Sequence, residues 1–538
     1  MKKITLSIIL LVTLTVFYGC EDMLTEKPTS QISPAGFFRD AKDAEAILMG
    51  AYDALQSGNY YGRYIFPVNY HAGCISYSRA GDRASIALYI DNQILNQGRS
   101  NTPIWSGLYE GIKRANAVLT FVPDIDMDET KKSKILGEAY FLRGMHYLNL
   151  VRYFGSVPIV NKLAEGANIN EYLYEKSSVK ALYDQIIADF NEAVTRLDNR
   201  KETGAGRASK QAAQAMLMRT YWAKATDQEA GEPADWTKAL NLGKGLLSEF
   251  TLEPVFAKLF GELDDNQEVL FEVNFTRTKG ESLDVSVHAT LAPEFSGIGP
   301  DAWGTVHTRL HFWNSFNNDD VRKNVTFLTQ YNDKNGKVVN WWEFNSAKAP
   351  HFKKWIDFKS VEPNSAFNFP VIRGADILLM LAEIESELKG GPNAEAYGYI
   401  DQVRSRAGIT LLAGSGLSLE AFRDSVLYER RRELACEAHD FIDLAHFGAA
   451  KMKEMAIITS YPKTNEGKQK MVNDIPAADR QQILASPKAQ ELIDGIFGRQ
   501  VKTEDIEWDD HNVRLAIPQN AVDVNPNLGK NDPYRPGN

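Results

Sequence analysis

Residues 131–154, KKSKILGEAYFLRGMHYLNLVRYF, carry apolar side chains on nearly every face of a helix. The positions follow a period of roughly 3.6 residues without keeping to one stripe. They are Leu136, Ala139, Leu142, Tyr147, Leu150 and Val151. Because a helix that is apolar all round is buried on all sides, we predict a central helix here, enclosed by other elements.

Helices with a single apolar face flank this segment. In residues 41–57 that face is formed by Ala44, Ile47, Leu48, Ala51 and Leu55. The same periodicity predicts helices near 104–122, 177–198, 208–226, 235–249, 374–389, 394–407 and 418–440. Most pairs are separated by short connections, so we expect them to be antiparallel neighbours.

Several of these helices place small residues beside large aromatic ones, as Ala212 and Ala215 stand beside Tyr221 and Trp222. That mixture is similar to tetratricopeptide helix pairs, in which small residues allow close helix approach and rings fill the neighbouring gap. No strict period of about 34 residues is visible. The fold class predicted is mostly α, a tetratricopeptide-like helical-repeat scaffold with a few short strands.

The region between about 255 and 370 differs from the rest, being rich in Asn, Asp, Gly and Pro, with a candidate strand at 268–275. It holds five of the nine tryptophans: Trp303, Trp313, Trp341, Trp342 and Trp355. The stretch 60–83 has similar texture, with five tyrosines near Arg79 and Asp82. Loops on a rigid scaffold commonly carry binding residues, so both stretches are predicted to contribute to ligand binding.

The N-terminus has the layout of a secretory signal. Two lysines precede the apolar run Ile4–Phe17, which is shorter than the roughly 20 residues needed to span a bilayer. Gly19-Cys20 at its end resembles the lipobox of bacterial lipoproteins, which implies acylation of Cys20. We predict a signal peptide over 1–19, a tether over 20–35, and then three regions at 36–254, 255–370 and 371–538.

Composition excludes several classes of function. With 60 basic and 70 acidic residues, the chain has a net charge of −10, which disfavours nucleic acid as a partner. Three cysteines form neither a disulfide framework nor a zinc site. His307 and His311 have a metal-like spacing without a catalytic Glu beside them, and the acidic run at 124–128 fits a helix cap better than a calcium loop. No cofactor and no metal is expected.

Several segments of the chain carry a common family pattern. They are AYFLRGMHYLNLVRYFGSVPIV at 139–160, PVIRGADILLMLAE at 370–383, VRSRAG at 403–408, ERRRELACEAHDFIDL at 429–444 and the C-terminal IP, NPNL and NDPY at 517–518, 525–528 and 531–534. Together these segments resemble the SusD/RagB family of Bacteroidetes outer-membrane nutrient-binding lipoproteins. The acidic pair after Cys20 is similar to the surface-export signal of such lipoproteins.

The resemblance implies a function without bond cleavage. A SusD-like protein captures an oligosaccharide at the cell surface and delivers it to a SusC-like TonB-dependent outer-membrane transporter, held to the membrane by its lipid anchor alone. Two alternatives stay open: a RagB-like lipoprotein or adaptor that binds peptide or protein, and a surface glycoside hydrolase. Neither the identity of the glycan nor the presence of a structural calcium follows from the sequence.

Sugar recognition predicts the candidate site residues. Pyranose rings stack on flat aromatic rings, and their hydroxyls bind planar polar groups. In the loop-rich regions that combination is offered by Trp303, Trp313, Asn314, Tyr77, Arg79 and Asp82. Trp222, on a regular helix face, is predicted to be core, and at most one of Trp341 and Trp342 is expected to face a ligand.

The acidic residues of the 429–444 segment point to structure and not to catalysis. Glu429, Glu433 and Glu437 recur every four residues and would repel one another unless cations intervene. We predict a buried or half-buried ion network that clamps helix pairs, with Arg430 and Arg431, or arginines from packed helices such as Arg143 and Arg373, as candidate partners. Cys74 and Cys436 are expected to be buried and inert.

Overall fold

The computed structural model describes residues 39–78, 101–163, 172–261, 266–284, 306–333, 335–344, 348–357, 359 and 364–530. Within them lie helices α1–α18: Ala41–Gln56, Ile65–Ala72, Asn101–Phe121, Glu129–Phe154, Val179–Arg196, Lys210–Ala225, Pro233–Leu246, Leu310–Asn314, Val321–Thr326, Gly374–Lys389, Ala394–Ala407, Leu419–Glu433, Asp440–His446, Ala449–Ile458, Asn465–Asp474, Ala477–Ala485, Ala489–Arg499 and Gln519–Val524. The molecule is mostly helical, as predicted.

The predicted central helix is α4. Asp128 caps its N-terminus by accepting a hydrogen bond from the backbone N–H of Lys131, at 2.8 Å, so the acidic run at 124–128 precedes a helix as expected. From Phe141 to Val151 every side chain of α4 is buried. The helix packs against α3, α5 and α1, which form its enclosure. The chain leaves it at Gly155, in the left-handed region at φ 71°.

The remaining helices pack mainly as sequential pairs, α4 with α5, α6 with α7, and α10 with α11. Two predicted boundaries match the structure to the residue, at 374–389 and 394–407. The helix predicted over 418–440 is wrong beyond residue 433, because α12 ends at Glu433. The chain turns there through Cys436 and Ala438, both at positive φ, before α13 begins.

The strands are short and pair in antiparallel fashion, and all of those described except β1 lie between the two helical regions. Strands β1–β10 are Ser76–Ser78, Val269–Val273, Leu283–Asp284, Val306–Thr308, Phe327–Leu328, Gln330–Asn332, Val338–Asn340, His351–Phe352, Asn364–Ser365 and Phe369–Arg373. They form two-stranded sheets: β1 with β4, β2 with β10, β3 with β9, β5 with β8 and β6 with β7. The strand expected at 268–275 is β2.

One continuous apolar core joins both helical regions to the strands, since residues such as Leu48, Phe141, Phe271 and Leu378 belong to a single cluster of buried side chains. Trp222 lies in this core with no exposed surface, as predicted. In the described part of the chain, no helix combines the length and apolar character that crossing a bilayer requires.

Candidate functional site

The β1–β4 ladder positions one predicted site residue. Tyr77 of β1 lies opposite His307 of β4, and their rings stack with centroids 5.2 Å apart and planes inclined by 19°. Tyr77 is only 5% exposed, and burial raises the pKa of its hydroxyl. The expectation that Tyr77 offers an open ring face to a ligand is therefore corrected, because the ring is covered by its cross-strand neighbour and the core.

The same ladder is the attachment point of two stretches that carry other predicted site residues. Ser78, the last residue of β1, pairs with Val306, the first residue of β4. Residues 79–100 follow Ser78, and residues 285–305 precede Val306. Arg79, Asp82 and Trp303 belong to these stretches and lie outside the described residues, as does Cys20. The chain thus enters one stretch and leaves the other at paired backbone positions.

A tryptophan cluster lies C-terminal to β4. Trp313 of α8 makes an edge-on contact with Trp341, with centroids 5.6 Å apart, and Trp341 makes another with Trp342 at 5.4 Å. The Trp341 indole N–H donates a 3.0 Å hydrogen bond to Asp479 of α16. Trp341 and Trp342 lie in a 3-10 turn and are both buried, so neither ring faces a ligand.

Trp313 is likewise a core residue in this structure, because only 4% of its surface is exposed. Within α8, Leu310 and Phe312 are buried with it. The Lys323 ammonium lies over the Trp313 ring, 5.1 Å from the ring centroid, in a cation–π contact. The prediction of Trp313 as an exposed ligand-stacking ring is corrected on these contacts.

Asn314 is half-buried and its amide is already engaged. The Nδ2 group donates to the backbone carbonyl of Asp474, which joins α8 to the end of α15. This side chain therefore holds two elements together. The neighbouring His311 lies in α8 while His307 lies in β4, so the two histidines do not share a helix face. Among the described residues, no group of three or more His, Cys, Asp or Glu side chains is arranged to hold a metal ion.

The predicted ion network is present and fully buried. Arg373 reaches three carboxylates, Glu268 and Glu433 at 2.7 Å and Glu437 at 2.8 Å. Arg322 binds Glu429 at 2.7 Å and Glu433 at 3.0 Å. These contacts join β10, α9 and the end of α12 in one cluster.

Only one of the four arginines expected in this network belongs to it. Arg373 does, whereas Arg143 pairs with Asp189 at 2.7 Å and Arg431 donates to the carbonyl of Gly73. Arg430 pairs with Asp376 and Asp443. Sequence reasoning missed Arg322, Arg404 and Arg406, which come from α9 and α11. It also missed Arg432, which binds Glu429 at 3.0 Å, and Lys354, which binds Glu437 at 3.0 Å.

Burial and charge act in opposite directions on the buried glutamates. Burial disfavours the ionised form of Glu433, but Arg406, Arg373 and Arg322 outweigh it and hold its pKa well below the ordinary value. The pKa values of Glu429 and Glu437 are lowered for the same reason. A general acid in glycoside hydrolysis needs a raised pKa, so these three carboxylates are suited to structure and not to proton donation.

Two family models match the chain. One, the SusD family, covers residues 343–534, and the other, described as starch-binding and associating with the outer membrane, covers residues 24–222. SusD-like protein P2 of Formosa agariphila is 27% identical over 477 residues, spanning 82% of this chain and 90% of the relative.

Solved structures share the fold. A SusD homologue from Bacteroides thetaiotaomicron superposes with a TM-score of 0.73 at 21% identity, covering 93% of this chain and 98% of its own. A protein described as a laminarin-binding SusD-like protein superposes with a TM-score of 0.63 at 24% identity, covering 80% of this chain and 96% of its own. The similarity therefore extends over both helical regions and the strands between them.

Proposed function

Because this chain is a SusD-like family protein, we propose that it is a glycan-binding lipoprotein of the outer membrane that faces the cell exterior and catalyses no reaction. In this proposal Cys20 carries the lipid anchor. The protein captures an oligosaccharide and delivers it to a SusC-like TonB-dependent transporter. The description of one matching family as starch-binding and of one matching structure as laminarin-binding supports a glycan as the ligand.

The observation that carries the proposal is the pairing of Ser78 with Val306. Residues 79–100, which include Arg79 and Asp82, begin directly after Ser78, and residues 285–305, which include Trp303, end directly before Val306. A pyranose needs a ring to stack on and planar polar groups for its hydroxyls. We assign those roles to Trp303 for stacking and to Arg79 and Asp82 for hydrogen bonding. The buried Tyr77–His307 pair then acts as their rigid base.

The proposal is tested by calorimetric titration with laminari-, xylogluco- and malto-oligosaccharides. Loss of one stacking ring removes about 0.5–1.5 kcal/mol, so Trp303→Ala is expected to weaken binding roughly two- to tenfold. Trp236→Ala, a half-buried tryptophan of the helical scaffold on α7, is the matched control and should leave affinity unchanged.

Two results would reject the proposal. Release of new reducing ends from any of these oligosaccharides would mark the protein as a glycoside hydrolase. Binding of peptides in the same titration, with every oligosaccharide silent, would favour the RagB-like alternative. Equal weakening by Trp303→Ala and Trp236→Ala would leave glycan binding in place and reject the assignment of Trp303.

A further inference from the structure

A cleft of about 870 Å³ opens within the helical part of the molecule. It lies between the C-terminal ends of α4 and α6, the α13–α14 pair and residues 511–517. None of its lining residues belongs to the β1–β4 ladder or the tryptophan cluster. Its walls include the apolar side chains of Phe154, Ile442 and Leu515, and Lys453 lines it from an exposed position on α14. The described lining of the cleft thus shares no residue with the ladder on which the glycan proposal rests.

Arg152, in the last turn of α4, lines this cleft without a hydrogen-bond acceptor. Its side chain is 6% exposed, and no described residue accepts a hydrogen bond from its buried Nη2. The closest carboxylate oxygen, Oδ1 of Asp443, is 3.8 Å from Nη2, beyond hydrogen-bonding distance. Asp443 is itself held by Arg430 through bonds of 2.9 and 3.0 Å. The buried Nη2 has thus left water without gaining an acceptor, which is costly, whereas Nε and Nη1 are not among the buried unsatisfied atoms.

The charges behind Arg152 do not balance. Two carboxylates lie among the three arginines of this cluster. Asp376 pairs with Arg219 and, at 2.8 Å, with Arg430. Asp443 pairs with Arg430 at 2.9 Å and lies 3.8 Å from Arg152. Three guanidinium groups thus share two carboxylates at the inner end of the cleft. Burial lowers the pKa of Arg152, Arg219 lowers it further, and Asp443 offsets this only in part.

Neighbouring titratable groups do not supply the missing anion. Asp440 is buried, and burial raises its pKa to about 8, so this carboxyl is neutral at pH 7. His439 lies 3.9 Å from Asp443, and burial lowers the pKa of this imidazole, which keeps it uncharged. Glu383 accepts hydrogen bonds from His446 and from the Trp222 indole, each at 2.9 Å, and is therefore already engaged.

The outer part of the cleft is built around Arg514. Its guanidinium binds Glu229 at 2.8 Å and Asp227 at 3.1 Å, so these two lining carboxylates are already engaged. The backbone of Gly155 approaches the same guanidinium so closely that a Cβ atom there would collide with it. Arg514 is thereby fixed in place. Among the described residues that line the cleft, Arg152 carries a buried donor without an acceptor.

We propose that this cleft binds a small organic carboxylate. Its carboxylate group accepts hydrogen bonds from the Arg152 guanidinium, which is the geometry that arginine favours for carboxylates. Its apolar body lies against Phe154, Ile442 and Leu515, whose burial adds a hydrophobic contribution. Binding would complete the charge balance of the Arg152 cluster. This second site does not depend on the glycan function.

The test compares phenylacetate with its neutral counterpart phenylacetamide, and with inorganic phosphate, by calorimetric titration of the whole protein. Phenylacetate is expected to bind at least tenfold more tightly than either. Arg152→Met should weaken phenylacetate binding at least tenfold, and Arg152→Lys should restore part of it. Equal binding of acid and amide, tighter binding of phosphate, or an unchanged affinity in Arg152→Met would each overturn the proposal.

A second variant keeps the test decisive if Arg152→Met does not fold. Ala450 lines the cleft from an exposed position on α14, so Ala450→Trp fills the opening without disturbing the core. It should abolish phenylacetate binding, whereas Leu484→Trp, at a 55% exposed position on α16 outside the cleft, should not. Phenylacetate binding that survives Ala450→Trp would show that the ligand lies elsewhere.

Discussion

Replacement of Asp440 by asparagine should make the free energy of unfolding less dependent on pH. Asp440 begins α13 and is 2% exposed, and its Oδ2 has no hydrogen-bond partner among the described residues. Burial raises its pKa from 3.8 to about 8, with the nearby Asp443 adding to the effect and Arg431 and Lys354 opposing it. The folded protein therefore keeps a proton on Asp440 at neutral pH, and the unfolded chain releases it.

This difference sets the sign and size of the effect on the free energy of unfolding. Between the unfolded pKa near 3.8 and the folded pKa of about 8, the folded state binds one more proton than the unfolded state. Asp440 therefore contributes full stability below pH 4 and loses it as the pH rises towards 8, by about 1.4 kcal/mol per pH unit. At pH 7 the loss amounts to about 4 kcal/mol.

Asparagine has nearly the same shape and does not titrate. The difference in unfolding free energy between Asp440→Asn and the wild type should therefore grow in favour of the variant by about 4 kcal/mol between pH 4 and pH 7. Urea unfolding followed by circular dichroism at half-unit pH steps measures it. Asp319→Asn, at an exposed position, is the control and should follow the wild-type curve. Parallel curves for Asp440→Asn and the wild type would refute the reasoning.

Three further substitutions test the buried network and two buried tyrosines. Arg373→Met removes the cation shared by Glu433 and Glu437. It should lower the free energy of unfolding in urea by about 3–5 kcal/mol, because it leaves buried carboxylates without a compensating charge. A loss below about 1 kcal/mol would contradict the structural role of the network. Tyr77→Phe should leave the melting temperature unchanged, since the Tyr77 hydroxyl has no hydrogen-bond partner among the described residues. Tyr70→Phe should lower the free energy of unfolding by about 1 kcal/mol, because it removes the 3.0 Å hydrogen bond to the Cys436 carbonyl. Equal effects of the two tyrosine substitutions would count against this assignment.

Helix positions were predictable where the signal is local. The ends of α10 and α11 coincide with Gly390 and Gly408, which adopt left-handed conformations at φ 69° and 72°. Glycine takes that conformation at little cost, so a glycine after an amphipathic run marks the last turn. The same logic fails at α12, where the left-handed residues are Cys436 and Ala438.

That turn depends on distant parts of the chain. The Cys436 carbonyl accepts hydrogen bonds from Tyr70 at 3.0 Å and from the Trp355 indole at 2.8 Å, and Lys354 donates to the Ala435 carbonyl. These contacts stabilise a backbone that its own residues disfavour. No pattern within 418–440 contains that information, so the periodicity extended the helix too far.

In the candidate site, too, local sequence signals were read correctly only where distant contacts do not decide the outcome. Composition located the irregular segment between the helical regions, but it assigned the same texture to 60–83, where residues Ile65–Ala72 form α2. Composition does not state which side of a ring faces the core. Trp313 is buried in contact with Trp341, which lies 28 residues later in the chain. Tyr77 is buried in contact with His307, which lies on the paired strand. The arginine partners of Glu429 and Glu433 were missed for a related reason, since Arg322 is separated from them by more than a hundred residues.

The sequence by itself determined the helical class, the central buried helix and the need for cations among the clustered glutamates, because periodicity, apolar pattern and like-charge spacing act over a few turns of chain. Only the tertiary structure decided which arginines meet which carboxylates, which rings are covered, and that Arg152 stands in a cleft without an acceptor. Those outcomes depend on which distant segments exclude water from one another, and burial is a property of the packed whole.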